Sequence, residues 1–195
     1  MTALPIARGV SYEDYLAREA VSQTKHEYLR GEIFDMAGGT PEHGAIAVTF
    51  TVALANILAG RPCRVFNSDV MVRIDATNLS TYPDISVVCG SLATSPSNPN
   101  AITNPILLVE VLSPGTEAYD RGAKFGHYRH LPSLKEMVFV DHATHTVEVF
   151  RRNEAGRFEL HVFEAADIVE LASVDAKIPV ATLYADPLPV APPAT

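Results

Sequence analysis

The segment Ile106–Leu112, reading ILLVEVL and followed by Ser-Pro-Gly, limits what this chain can fold into more than any other stretch. Six apolar residues with no polar alternation leave neither face for water, so they form a strand covered on both sides by helices or by other layers. Pro114 and Gly115 stop the strand soon afterwards, which puts Glu110 near the rim of a sheet. A carboxylate buried without a partner costs several kcal/mol. Glu110 therefore emerges at the rim, holds a proton, or meets a cation.

Other segments supply the cover that such a strand needs. SYEDYLAREA begins with Ser11 as an N-cap and carries Asp14 three residues on, which predicts a short helix with Tyr12, Tyr15 and Leu16 on its apolar face. HEYLRGEIFDMAGG predicts a hairpin closing at Arg30-Gly31. From Pro41 to Ala59, helical spacing of Ile46, Phe50, Leu54, Ile57 and Leu58 predicts a longer helix, stopped by Gly60-Arg61-Pro62. CRVFNSDVMVRID reads as a strand with an irregularity at Asn67-Ser68, and YPDISVVCG as another. ATNLST and the Ser-, Pro- and Asn-rich SLATSPSNPNAITNP read as connections. Thr116 is the N-cap of a helix that ends at Pro132, and the strands LKEMVFVD, TVEVFRR and RFELHVFE follow, the last two joined by NEAGR. This order predicts an α/β (α+β) fold with a mixed sheet flanked by helices, one domain over residues 1–185, and a flexible proline-rich tail at 186–195.

Composition narrows the class. With 195 residues, 47% hydrophobic and 19% charged, the chain can bury one substantial core. It shows neither a basic leader with a long apolar run nor the roughly 18 to 20 apolar residues that span a bilayer, so a soluble cytoplasmic protein without membrane contact is expected. The net charge of -8 repels nucleic acid at long range, so any contact with DNA has to be local. One loose basic group exists, Arg121, Lys124, Arg129 and Lys135 with His127 and His130 interleaved, and a group that sparse is ordinary for a solvated helix face. Cys63 and Cys89 are far apart in strand-like runs and read as small buried hydrophobes, not as a disulfide or zinc pair. The pairs His127/His130 and His142/His145 lack the spacing of a zinc protease, and neither a phosphate-binding loop nor a GxSxG nucleophile motif is present.

A second carboxylate, Asp84, opens the apolar strand after Tyr82-Pro83. If its strand lies beside that of Glu110, both acids face one cleft, and two hard anionic oxygens with water suit Mg²⁺ (or Mn²⁺) better than zinc. Lys124, fourteen residues after Glu110 on the next helix, can return an ammonium to that cleft, where it would orient a water and stabilise charge growing on a phosphate. A solvated Asp, a rim Glu and a surface Lys satisfy the same spacing.

Asp84 in YPDISVV, Glu110 in ILLVEVLSPGT and Lys124 in DRGAKFGHYR resemble the pattern of the PD-(D/E)XK nuclease superfamily, and specifically its bacterial Uma-type family of restriction-endonuclease-like proteins. The likeness extends over roughly positions 10 to 185 and is carried most specifically by VEVLSPGTEAYDRGAKF. Where the superfamily places its lysine two residues after the acid, this chain has Leu112, so the resemblance implies a lysine that has migrated to the helix as Lys124. It implies a restriction-endonuclease-like fold and a Mg²⁺-dependent endonuclease acting on DNA. Asp84 and Glu110 would be metal ligands, with the Val111 carbonyl as a third, and Glu27 would complete the catalytic set. His43, Asp69 and Tyr128 fall at auxiliary positions, and Ser113 and Asp120 lie in the same block. A homodimer would place two such sites about a twofold to cut both strands. The alternative is a non-catalytic interaction or regulatory module that keeps the nuclease fold.

Overall fold

The structure is a computed structural model in which residues 4–36 and 38–185 are described; the proline-rich segment 186–195 lies outside them. The first helix, α1 (Tyr12–Glu19), is capped by Ser11, whose hydroxyl accepts from the Asp14 amide. It leads to the hairpin β1 (His26–Leu29) and β2 (Glu32–Asp35), paired in register Leu29↔Glu32. Arg30 and Gly31 both take positive φ, 50° and 94°, as the tight turn between two twisted strands requires. The long helix α2 (Pro41–Ile57) follows, with the Thr40 hydroxyl accepting from the His43 amide.

The stretch read as one irregular strand divides in two. β3 (Cys63–Asn67) and β4 (Met71–Ile74) join different sheets, and the turn at Asn67, Ser68 and Asp69 carries the chain between them. The two predicted connections also contain strands. ATNLST ends in β5 (Leu79–Thr81), fully buried between β1 and β4. After β6 (Ile85–Cys89), the Ser- and Pro-rich stretch forms β7 (Thr94–Ser95) and β8 (Asn98–Ile102). Polar composition concealed β8 because only Ala101 and Ile102 pair with β4; Pro99, which cannot donate, stands outside that ladder.

β9 (Leu107–Leu112) is the strand with which the sequence reading began, and all six of its residues are buried. The helix after it comprises α3 (Glu117–Tyr119), a π-helical turn over Asp120–Lys124, and α4 (Phe125–Tyr128). Thr116 does not cap it through its side chain; its hydroxyl lies 2.9 Å from that of Ser113. β10 (Glu136–Asp141), β11 (Thr146–Arg152) and β12 (Phe158–Phe163) fall where predicted. The hairpin β13 (Ile168–Leu171) and β14 (Ala176–Pro179), with α5 (Val180–Leu183), completes the described chain.

The larger strands form two mixed six-stranded sheets, β2-β1-β5-β4-β8-β7 and β12-β11-β10-β9-β6-β3. One face of the second sheet packs Val109, Val111, Val138 and Val140 against Phe50 and Leu54 of α2. Its other face, with Leu108, Leu112 and Phe139, meets Phe125 and Tyr128 of the interrupted helix and Val72, Ile74 and Leu79 of the first sheet. The far side of the first sheet is closed by α1, where Tyr15 packs on Tyr28. This is the mixed-sheet α+β architecture that the element order predicted, with two sheets where one was expected.

The cysteines depart from expectation. Cys63 and Cys89 are direct cross-strand partners in the β3–β6 ladder, with Cα atoms 4.0 Å apart, and are joined by a disulfide. Their 26-residue separation hid a pairing that only the sheet register reveals. No helix among the described residues is long and apolar enough to cross a membrane.

Candidate active site

Three strands and one helical turn bring the predicted residues together. β6 and β9 pair antiparallel as Ile85↔Val109, and the next step along that register sets Asp84 opposite Glu110, on the face shared with Val88 and Leu108. The Val111 amide donates to Asp84 Oδ2 at 2.7 Å and fixes that carboxylate at the strand mouth. Glu27 arrives from the first sheet, on the β1 face whose next residue but one, Leu29, packs against the interrupted helix.

The interrupted helix faces these acids. Asp120, Lys124 and Tyr128, each four residues from the last, follow one another along one buried side of it, and π-turns such as the one over Asp120–Lys124 recur at functional sites. Lys124 Nζ lies 2.9 Å from Glu110 Oε1, 3.1 Å from Glu27 Oε1 and 3.6 Å from Asp120 Oδ1. The Tyr128 hydroxyl donates to Glu110 Oε1 at 2.6 Å. The Thr81 hydroxyl donates to Glu27 Oε1, and the Tyr119 hydroxyl to Oε2 at 3.3 Å. The amine is thus held inside the cluster and not on a solvated face, with its side chain only 7% exposed.

Burial and charge set the protonation states. Burial pushes the Glu110 carboxyl up to about 8; Lys124 and Tyr128 draw it down, while Asp84 and Asp120 push it further up. For Lys124, burial acts to lower the ammonium, but Glu110, Glu27 and Asp120 together outweigh it and hold its pKa well above the ordinary value. Asp120 is raised by burial as well. Three carboxyl groups, Glu27, Glu110 and Asp120, thus gather about one lysine, with Asp84 beside Glu110 on the neighbouring strand.

His43, in the first turn of α2, sits with Nε2 3.1 Å from Asp84 Oδ2, and this contact raises its pKa against the opposing effect of burial. The Asp84 and His43 side chains are 17% and 18% exposed, so solvent reaches the cluster on their side. Asp69 is drawn elsewhere. It is exposed in the β3–β4 turn, 2.6 Å from Lys25 Nζ and bonded to Asn67, with its pKa lowered by those two partners. Its motif position reflected a sheet-crossing turn and not a bulge beside the acids.

Thr81 and Tyr119 went unrecognised in the sequence. Thr81 lay in a supposed loop, and Tyr119 became meaningful only once the hairpin strand was placed opposite the helix. Among the described residues no three His, Cys, Asp or Glu side chains converge as a complete metal shell. The unused oxygens are nevertheless instructive. Both contacts to Asp84 fall on Oδ2 and both contacts to Glu110 fall on Oε1, leaving Asp84 Oδ1 and Glu110 Oε2 without protein partners among the described residues.

Comparison with known proteins bears on the family and the fold. The chain matches the Uma2 family model, "Putative restriction endonuclease", over residues 12–181. It is 37% identical over 175 residues to the uncharacterised protein slr1290 of Synechocystis sp., covering 90% of this chain and 91% of that protein. It is 31% identical over 139 residues to sll1609 of the same organism, also uncharacterised, covering 71% and 78%. The crystal structure of a "putative nuclease belonging to DUF820" from Anabaena variabilis superposes with a TM-score of 0.73 at 21% identity, covering 93% of this chain and 98% of that one. The segment matched to the family runs from α1 into the start of α5 and contains Glu27, His43, Asp84, Glu110, Lys124 and Tyr128, so the chain that builds this acid-and-lysine cluster belongs to the Uma2 family.

Proposed function

We propose that the chain is a divalent-metal-dependent endonuclease that hydrolyses phosphodiester bonds of DNA. The observation that carries this reading is the seating of one buried ammonium between Glu110 and Glu27, beside Asp84 on the strand next to Glu110. Buried, charge-perturbed clusters of this kind concentrate at functional sites, and reactions that build negative charge on a phosphate need such groups.

The donor set fits a Mg²⁺ or Mn²⁺ ion. Asp84 Oδ1 and Glu110 Oε2 offer two hard oxygens, the cluster carries an excess of acids over cations, and Mg²⁺ commonly takes one or two carboxylates and fills its remaining positions with water and substrate oxygens. When bound, the ion would supply neutralisation of phosphate charge and acidification of water. The chain's own groups do the positioning. Lys124 is held by Glu110 and Glu27 where it can orient a water and counter charge on the phosphate. Tyr128 fixes the Glu110 carboxylate, Thr81 and Tyr119 fix Glu27, and the Val111 amide with His43 fixes Asp84. A homodimer would present two such clusters to the two strands of a duplex.

The test is conversion of supercoiled plasmid to nicked and linear forms with Mn²⁺ or Mg²⁺, alongside calorimetric titration of the same ions. Wild type should cut and bind metal; Glu110→Gln should lose both, and Lys124→Ala should lose cutting. A wild-type chain that binds the ion yet leaves every DNA substrate intact would refute the hydrolytic reading and favour the non-catalytic module. Light scattering of the same preparations reads the oligomeric state.

A further inference from the structure

An acid-rich cluster in a chain of net charge -8 needs some device to bring a polyanion to it. The basic residues near the interrupted helix divide into two groups. Arg121 is engaged by Glu117 at 2.9 Å and by Glu148, and Lys124 is locked in the cluster. Arg30, His127, His130, Arg129 and Lys135 have no acid within ion-pair distance among the described residues, and all are at least partly exposed; of these, Arg129 lies over the Phe125 ring and Lys135 stands beyond the helix, before β10.

Arg30 stands three residues beyond Glu27, just past the strand whose Leu29 packs against the apolar cluster that contains Phe125 and Tyr128. His127 is one residue before Tyr128 and three after Lys124, on the same helix. His127 thus adjoins a residue of the same apolar cluster that Leu29 packs against, and, in keeping with that placement, burial first, then Arg30 and His130, lower its pKa while Glu27 acts in the opposite sense. The backbone adds an independent sign. Arg30 occupies a left-handed position, φ 50°, in a turn where Asn or Gly is cheaper, so the side chain and not the turn accounts for an arginine there. Its Nε donates to the Thr77 carbonyl at 3.3 Å, which steadies the guanidinium without neutralising it.

We infer that Arg30 and His127, with His130 beside them, form a contact for the phosphodiester backbone of duplex DNA, holding a phosphate next to the one addressed by Lys124. This rests on the nuclease reading and deepens it. Arg30 supplies the charge and His127 an N–H donor, so the contact is independent of base sequence and weakens with salt.

The experiment measures binding of a fluorescein-labelled duplex oligonucleotide by anisotropy, in Ca²⁺, between about 50 and 200 mM salt. It is paired with plasmid cleavage and thermal unfolding of the same proteins. Arg30→Asn, which suits the turn but removes the charge, should weaken binding about three- to tenfold and reduce the slope of log K against log salt by about 0.9, without lowering the unfolding midpoint. Arg30→Lys should stay within about twofold of wild type, although it too forfeits the bond to Thr77; a purely structural arginine would make Lys and Asn fail alike. His127→Ala should raise KM and leave kcat at saturating DNA unchanged. If wild type cuts DNA while Arg30→Asn and His127→Ala bind it with unaltered affinity and salt slope, this inference falls and the nuclease reading stands. If wild type neither binds nor cuts duplex DNA, both fall.

Discussion

At the scale of single residues, the behaviour of the cluster follows from one amine offsetting several acids. Lys124→Met leaves Glu110, Glu27 and Asp120 without their shared cation, and loss of one member of a buried ion pair costs about 3–5 kcal/mol. Urea unfolding should show that loss, and adding Glu110→Gln should recover part of it, because a neutral amide tolerates the site better than an unpaired acid. Glu110 has a pH signature of its own. Its folded pKa of about 8 exceeds its unfolded value near 4.5, so the stability tied to its proton is fully present below about 4.5 and is lost as pH rises through 8. In chelator-treated protein the unfolding free energy should decline between pH 5 and 9 by up to about 1.4 kcal/mol per unit, and Glu110→Gln should flatten that decline. A flat wild-type profile would mean that Lys124 keeps the carboxylate ionised throughout. Tyr128→Phe, removing one hydrogen bond to the same oxygen, should cost about 1–3 kcal/mol and reduce cleavage while metal still binds.

Among the elements, the π-turn at Asp120–Lys124 is the one on which the site depends most. Deleting Gly122, where an added Cβ would meet only open space, takes a residue out of the π-turn and shortens the Asp120-to-Lys124 spacing from four residues to three, turning the two side chains relative to each other by up to about 100°. Circular dichroism should report an intact fold while cleavage is lost; retained cleavage would show that the turn is dispensable. The same element shows how far sequence can be read. The charge order after Thr116 and the stop at Pro132 located the helix, although Thr116 does not cap it through its side chain, but a π-turn has no residue signature and emerges only in the folded chain. β9 announced itself through an uninterrupted apolar run and the long helix α2 through a 3.6-residue pattern. β5 and β8 did not, since a three-residue strand and a strand containing Pro99 have too little pattern to compete with their polar neighbours. Thr81 was missed together with its strand. Asp84 and Glu110 were legible because each borders or interrupts an apolar run, where a charge needs an explanation, and Lys124 through its spacing from Glu110 on the next helix and the likeness of DRGAKFGHYR to the family pattern.

For the whole molecule, the Cys63–Cys89 bridge closes a 26-residue loop that contains β4 and β5 of the first sheet and β3 and β6 of the second. Replacing both cysteines with alanine should lower stability by about 3 kcal/mol through the freed unfolded chain, measurable in urea with and without reductant. The cysteine reading failed because register is a property of the sheet and not of the local sequence. Two sheets also appeared where one was foreseen, since the turn at Asn67–Asp69 looked like an irregularity and is a crossing. That crossing matters for the chemistry. Glu27 comes from one sheet and Glu110 from the other, so Lys124 acts as a rivet through the seam between them. Any loosening that parts the two layers by an ångström or so, roughly the margin of a hydrogen bond, would undo the rivet while each layer keeps its own ladder intact. On slow warming, enzymatic output should therefore fade at a lower temperature than the far-ultraviolet signal of the strands.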